Sequence, residues 1–202
     1  MSSHGGYDVL NCVGNEISTK KEDVILMRDC VVIVGSGMMG SGIGAMSALA
    51  GRKTMLVDLD EERVKAGAQK AAACIRLREE NGLNTKEEAE RALGLIETST
   101  NMLEAAESAS LVIEAIVENV EAKQNLFAQL DEILPVNVPI CSNTSGLRIT
   151  EISAKCKHPE RTVTTHFWLP AHLVPLVEVV MGDKTEQSVA ELVRNELKTW
   201  KK

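Results

Sequence analysis

Two groups of residues in this sequence have the types and the spacing to do chemistry. His166 closes the run Thr164-Thr165-His166, and Glu178 follows twelve residues later inside Pro175-Leu176-Val177-Glu178-Val179-Val180. A carboxylate set among apolar residues is costly to bury unless it is paired, so the sequence predicts a buried Glu178 with His166 as its partner. An imidazole held in that way can act as a general base, a contribution of about 10²–10⁴-fold. Next to a nicotinamide it would take a hydroxyl proton as an alcohol is oxidised. Either residue alone reads as an ordinary core side chain. The second group is Gly35-Ser36-Gly37-Met38-Met39-Gly40, with Asp58 lying 21 residues past Gly37. In a dinucleotide site Gly35 makes the tight turn, Gly37 lets the backbone approach a pyrophosphate, and Gly40 lets a helix pack closely. An acid roughly 20 residues on binds a ribose 2′-OH, and Asp58 fits.

Charge selects the dinucleotide. Asp58 is followed by Leu59, Asp60, Glu61 and Glu62, and a 2′-phosphate would meet repulsion there. Arg63 is the nearby cation, one helical turn further in. The cofactor read from the residues is NAD, not NADP.

The elements that must position these groups are legible on either side of them. Val31-Val32-Ile33-Val34 reads as a strand buried on both faces. A small-residue helix over 41–50 follows, then a second strand over 54–57 ending at Asp58. A helix with Val64, Ala68, Ala71 and Ile75 on one stripe runs to Asn81-Gly82, and the box Thr85-x-x-Glu88 opens another that runs to Leu93. Two helices where one crossover suffices predict a helical hairpin inserted after the second strand, protruding from the domain. Further strands are expected over 96–100, 111–116, 162–166 and 174–180, with another entered at Pro139-Ile140-Cys141. Asn101 and Asn119 read as helix caps, the latter opening a helix with Val120, Leu126, Phe127 and Leu130 inward. A helix over 184–200 would turn Val189, Leu192, Val193 and Leu197 inward. Strands alternating with helices predict a Rossmann-type α/β fold with a doubly wound, mostly parallel sheet.

Composition bounds the rest. The chain has 202 residues, 44% hydrophobic and 25% charged, with a net charge of −7. That profile suits a globular domain with an ordinary core and disfavours a nucleic-acid partner. No apolar run approaches the ~20 residues of a membrane span. Five cysteines, at 12, 30, 74, 141 and 156, show neither disulfide nor metal spacing. No metal is expected, and the compartment expected is the cytoplasm, or the mitochondrial matrix or a peroxisome in a eukaryote. Residues 1–26 hold no sustained period and read as a disordered leader, leaving 27–202 as the NAD-binding domain.

From Cys30 to Trp200 the chain resembles the NAD-binding domain of the L-3-hydroxyacyl-CoA dehydrogenases. The resemblance rests on Gly35-x-Gly37-x-Met39-Gly40-x-Gly42-Ile43, Glu114-Ala115-Ile116-Val117-Glu118-Asn119, Ser142-Asn143-Thr144-Ser145, and His166-Phe167 with Glu178. It implies NAD-dependent oxidation of an L-3-hydroxyacyl-CoA to the 3-ketoacyl-CoA, with His166 as base, Glu178 orienting it, and Ser145 donating to the C3 oxygen. Asp58 would hold the adenosine ribose, while Glu118 and Lys123 would reach the nicotinamide half. Met38, Met39, Ala115, Ile116 and Asn143 would line the cofactor, and the helical hairpin would lie against CoA. The implied partners are the acyl-CoA substrate and a second copy in a homodimer.

Two departures from the family pattern stand out. Leu169 occupies a position where the family carries Asn, at a cost of about 1–3 kcal/mol if a buried hydrogen bond is lost. The family's helical, dimer-forming domain would begin where this sequence stops, so Phe167, Trp168 and Leu169 would be partly exposed. Rival readings are a dehydrogenase of a free hydroxy acid, of the L-gulonate or carnitine type, and a non-catalytic NAD-binding protein. The Glu-Ala-Ile-Val-Glu-Asn and Ser-Asn-Thr-Ser signatures favour the acyl-CoA branch.

Overall fold

Cys30–Val34 (β1) is buried along its whole length, as a β-branched run covered on both faces must be. In this computed structural model, which describes residues 29–202, its side chains alternate between two cores. Val31 and Ile33 enter one, and Cys30, Val32 and Val34 enter the other. The expected leader over 1–26, with Cys12, lies outside the described residues.

Around β1 lie Lys53–Val57 (β2), Ile96–Ser99 (β3), Ala109–Glu114 (β4), Ile140–Ser142 (β5), Thr162–Phe167 (β6) and Val177–Met181 (β7). They form one sheet in the order β3-β2-β1-β4-β5-β6-β7. The first six strands are parallel, and β7 pairs antiparallel with β6 at the edge. This is the predicted doubly wound α/β architecture. Strand order reverses between β1 and β4, and such sheets bind ligands in the crevice at that point.

The helices are Met38–Leu49 (α1), Glu61–Glu80 (α2), Lys86–Leu93 (α3), Met102–Ser108 (α4), Val120–Ile133 (α5), Ile149–Ile152 (α6) and Gln187–Thr199 (α7). One face of the sheet carries α1, α2, α3 and α7, through residues such as Ile43, Ile75, Ala89 and Val193. The other carries α4, α5 and α6, through Ala105, Phe127, Leu130 and Ile152. The caps read from the sequence are made: Thr85 and Glu88 exchange side-chain and backbone bonds at α3, and Asn119 accepts from Ala122 N at α5. Each such cap stabilises its helix by about 1 kcal/mol.

Several boundaries and faces differ from the sequence reading. α1 starts at Met38, because Gly37 serves as its N-cap and Gly40 is tolerated within the first turn. β4 ends at Glu114, so Ala115 and Ile116 belong to the turn beyond it. In α7 the inward stripe is Ala190, Val193 and Leu197, and Leu192 is 53% exposed. Val120 is likewise exposed at the first position of α5. The two helices between β2 and β3 bury Val64, Ala71 and Ile75 of α2 and Ala89 and Ala92 of α3. Their inner faces therefore belong to the domain's core instead of standing clear of it.

Candidate active site

Glycine conformations build the first half of the site. Gly35 follows β1 with φ 97°, a left-handed conformation that favours glycine. A Cβ there would lie 2.7 Å from Ala115 O, in the turn just past β4. A Cβ on Gly40 would lie 1.8 Å from Gly35 O, so α1 rests directly on the turn. Gly37 differs, since a Cβ there would meet nothing within 4 Å. It leaves open space before the first turn of α1, where the N–H groups of Met38 and Met39 have no intrahelical acceptor. No acid stands in that turn to oppose an anion. The cradle fits a dinucleotide pyrophosphate.

Asp58, just past β2, borders this loop. Its Oδ2 accepts from Ser36 N and Ser36 Oγ, both at 2.8 Å, and its Oδ1 accepts from Leu59 N at 2.8 Å. Burial alone would raise its pKa, but these bonds and the charge of Arg63 outweigh burial and hold the carboxyl below the usual range. Between Asp58 and Ile116 lies a cavity of about 400 Å³, with Val57, Met102 and Leu126 in its largely apolar wall. Its lining suits a flat heterocycle beside a ribose.

The second half of the site sits at β6 and β7. His166 and Glu178 are directly opposed in the antiparallel pairing, with Nδ1 and Oε2 2.7 Å apart. A carboxylate only accepts, so the proton belongs on Nδ1 and Nε2 keeps its lone pair. Ser145 Oγ lies 3.2 Å from Nε2. The bond from His166 holds the Glu178 carboxyl below its ordinary range; desolvation works against this, and Trp168 adds to the lowering. A cavity of about 280 Å³ opens here, lined by Ser145, His166, Glu178, Val180 and Met181 among others.

Glu178 is not the buried acid that the sequence led us to expect. Its side chain is 48% exposed, because β7 is an edge strand. The buried acid of this site is Glu114, fully enclosed at the end of β4. Its Oε1 accepts from Ile116 N at 2.7 Å and Lys123 Nζ at 2.5 Å, and its Oε2 accepts from Ser142 Oγ at 2.6 Å. Lys123 is buried too, with Glu118 Oε2 3.3 Å away. Glu118 Oε1 accepts from Thr144 Oγ1, Ser145 N and Gly146 N at 2.5, 3.1 and 3.2 Å, which fixes the Ser145 loop. Burial opposes ionisation of Glu118, but those donors and Lys123 outweigh it and lower its pKa. Asn143 Oδ1 accepts from Phe167 N at 2.8 Å, tying the loop to β6.

Residues 30–202 match the family model described as 3-hydroxyacyl-CoA dehydrogenase, NAD binding domain. The chain belongs to that family. It is 38% identical over 160 residues to a probable 3-hydroxybutyryl-CoA dehydrogenase of Bacillus subtilis (79% of this chain, 55% of the relative). It is 38% identical over 172 residues to 3-hydroxyadipyl-CoA dehydrogenase of Escherichia coli (85% and 36%). Among solved structures, 3-hydroxybutyryl-CoA dehydrogenase from E. coli superposes with a TM-score of 0.82 at 37% identity, covering 86% of this chain and 37% of that one. The (S)-3-hydroxybutyryl-CoA dehydrogenase of Ralstonia eutropha gives 0.81 at 31%, covering 86% and 61%. The chain thus spans 55% or less of the length of these two curated relatives.

Within this NAD-binding domain the other histidines stand apart from the Ser145–His166–Glu178 set. His158 Nδ1 lies 3.0 Å from Glu160, before the start of β6. His172 lies in the loop after β6, where Arg78 donates to its carbonyl. Burial, with the charges of Arg78 and Lys202, lowers its pKa. Phe167, expected to be partly exposed, is buried against Trp200, while Trp168 and Leu169 are 47% and 59% exposed. Three positioning residues had no role in the sequence reading: Ser36, Glu114 and Thr144. Glu114 had a usable signal, since Leu111-Val112-Ile113-Glu114 sets an acid at the end of an apolar strand.

Proposed function

We propose that the domain carries the cofactor and catalytic half of an enzyme that oxidises an L-3-hydroxyacyl-CoA to the 3-ketoacyl-CoA with NAD. The observation that carries this reading is the chain of contacts Glu178 Oε2–His166 Nδ1 and His166 Nε2–Ser145 Oγ. Nε2 takes the C3 hydroxyl proton, and the charge of Glu178 stabilises the imidazolium that forms. Ser145 Oγ donates to the C3 oxygen and orients it. Bound NAD⁺ supplies the hydride acceptor. Asp58 holds the adenosine ribose, the Met38–Met39 turn receives the pyrophosphate, and Ala115, Ile116, Asn143, Glu118 and Lys123 form the nicotinamide end.

The same reading takes an acyl-CoA as substrate and a second copy of the protein as partner in a homodimer. Its compartment is the cytoplasm, or in a eukaryote the peroxisome or mitochondrial matrix. The test is NADH oxidation by the protein at its full natural length, with acetoacetyl-CoA against free 3-keto acids. Reduction of acetoacetyl-CoA with little turnover of the free acids supports the reading. Equal or faster turnover of a free acid would make it a hydroxy-acid dehydrogenase, and NADH binding without turnover of either would make it a cofactor-holding protein.

A further inference from the structure

Ser36, the residue between the first two glycines of the loop, is held on every side. Its carbonyl accepts from Ser41 Oγ at 2.9 Å. Gly67 of α2 is pressed against it so closely that a Cβ at 67 would lie 2.4 Å from Ser36 Cβ. Its N–H and its hydroxyl both reach Asp58 Oδ2. The hydroxyl also lies 3.0 Å from Arg63 O, but its one proton favours the charged acceptor.

A carboxylate offers about four acceptor positions. Ser36 takes both on Oδ2 and Leu59 N takes one on Oδ1, which leaves one, on Oδ1. The carboxylate has one rotational setting that satisfies all three donors, and in that setting Oδ1 alone can take a ribose hydroxyl. The surroundings make this orientation matter. A cavity of about 380 Å³ beside Asp58 is lined by Ser36, Asp60, Glu62, Arg63 and Lys70. Two cations stand there, not the single Arg63 read from the sequence, and either could pair with a 2′-phosphate if Asp58 turned away. We propose that Ser36 is a specificity-determining positioning residue, fixing Asp58 so that NAD is accepted and NADP rejected. The inference rests on the assignment of Asp58 to the adenosine ribose.

The experiment is fluorescence titration of NADH and NADPH against the parent chain, Ser36→Ala, Asp58→Asn and the double variant. Loss of one hydrogen bond to a charged group changes an equilibrium by about tenfold or more. Ser36→Ala should lower the NADPH/NADH Kd ratio by that factor, and adding it to Asp58→Asn should lower the ratio no further. Ser36→Gly, which removes the same hydroxyl, is the second variant if alanine disturbs folding. An equal loss of affinity for both cofactors would overturn the inference, because Ser36 would then be acting on the shared phosphates. An unchanged ratio in Ser36→Ala, with the ratio collapsed in Asp58→Asn, overturns the role of Ser36 and leaves Asp58 in place. An unchanged ratio in Asp58→Asn removes both.

Discussion

His166 and Glu178 meet because they are partners in the β6–β7 register, not because a loop brings them together. Directly opposed residues of an antiparallel pair have their Cβ atoms about 4.5–5.5 Å apart, so backbone pairing alone puts imidazole and carboxylate in reach. Side chains alternate faces along a strand, and a one-residue slip of β7 would turn Glu178 to the opposite side. The register is pinned at the far end by Thr185, whose Oγ1 accepts from Gly182 N and donates to Thr162 O.

Removing the base should stop chemistry without emptying the cofactor site. His166→Ala is expected to cut kcat by about 100-fold or more while NADH affinity stays within about twofold. Glu178→Gln keeps the shape and loses the charge, so its kcat should fall between the parent and His166→Ala. Ser145→Ala should lose less, on the order of one hydrogen bond, or about two- to tenfold. Steady-state kinetics with NADH titration measure all three, and wild-type turnover in His166→Ala would move the base elsewhere, with His172 the first candidate.

Two glycines of one loop should respond in opposite ways to the same methyl group. Gly37 has φ −66° and open space around it, so Gly37→Ala should fold and even gain about 0.4–1 kcal/mol through the unfolded state. It should nonetheless weaken NADH binding, because the methyl enters the pyrophosphate cradle. Gly40→Ala cannot be accommodated without moving α1 from Gly35, and should lose about 1–3 kcal/mol of stability or more. Urea unfolding and NADH titration on both variants separate the two effects.

Much of this was legible in the sequence because the signals are local. The apolar run of β1, the glycine spacing, and the Thr85–Glu88 and Asn119 caps each depend on residues within a few positions of one another. The His166–Glu178 pairing was reached from the need of an acid for a partner, although the premise of burial failed at an edge strand. What could not be read are contacts between segments far apart in the chain. Ser36 to Asp58, Glu114 to Ser142 and Glu118 to Gly146 depend on which strand ends lie side by side. The inward face of α7 failed for a related reason: Leu192 and Val193 are adjacent, and only the position of the sheet decides between them.

Acid should unfold the domain partly through Asp131. Arg161 holds its Oδ1 from Nε and Nη2 at 3.0 and 2.6 Å, and the N–H groups of Lys157 and His158 reach its Oδ2. Burial works against the ionised form, but Arg161 and those donors outweigh it, so the Asp131 pKa is lowered. For a depressed carboxyl the stabilisation is complete above the unfolded value of about 3.9 and is lost as pH falls through the lower native value. Urea midpoints measured against pH should therefore show Asp131→Asn losing part of the parent's acid dependence. Arg161→Met leaves Asp131 buried and unpaired, and should lose about 3–5 kcal/mol near neutral pH. Unchanged midpoints in Arg161→Met would show that the backbone donors alone satisfy the acid.

The last prediction concerns Glu114 and the ammonium that it neutralises. Lys123 is buried, and of its two acid partners Glu114 is enclosed while Glu118 is 45% exposed. Glu114→Gln preserves volume, and its amide can still accept from Ile116 N and donate to Ser142 Oγ. What it removes is the enclosed counter-charge. Breaking a buried pair from one side costs about 3–5 kcal/mol, and the remaining attraction of Glu118 sets the expected loss at the lower end. Adding Lys123→Met removes the stranded charge, so the double variant should recover most of that stability. It should not recover NADH affinity, if Lys123 serves the nicotinamide end of the site. Urea unfolding gives the first comparison and NADH titration the second. Full stability in Glu114→Gln alone would mean that Glu118 suffices to hold the ammonium, and recovered NADH binding in the double variant would remove Lys123 from the cofactor site.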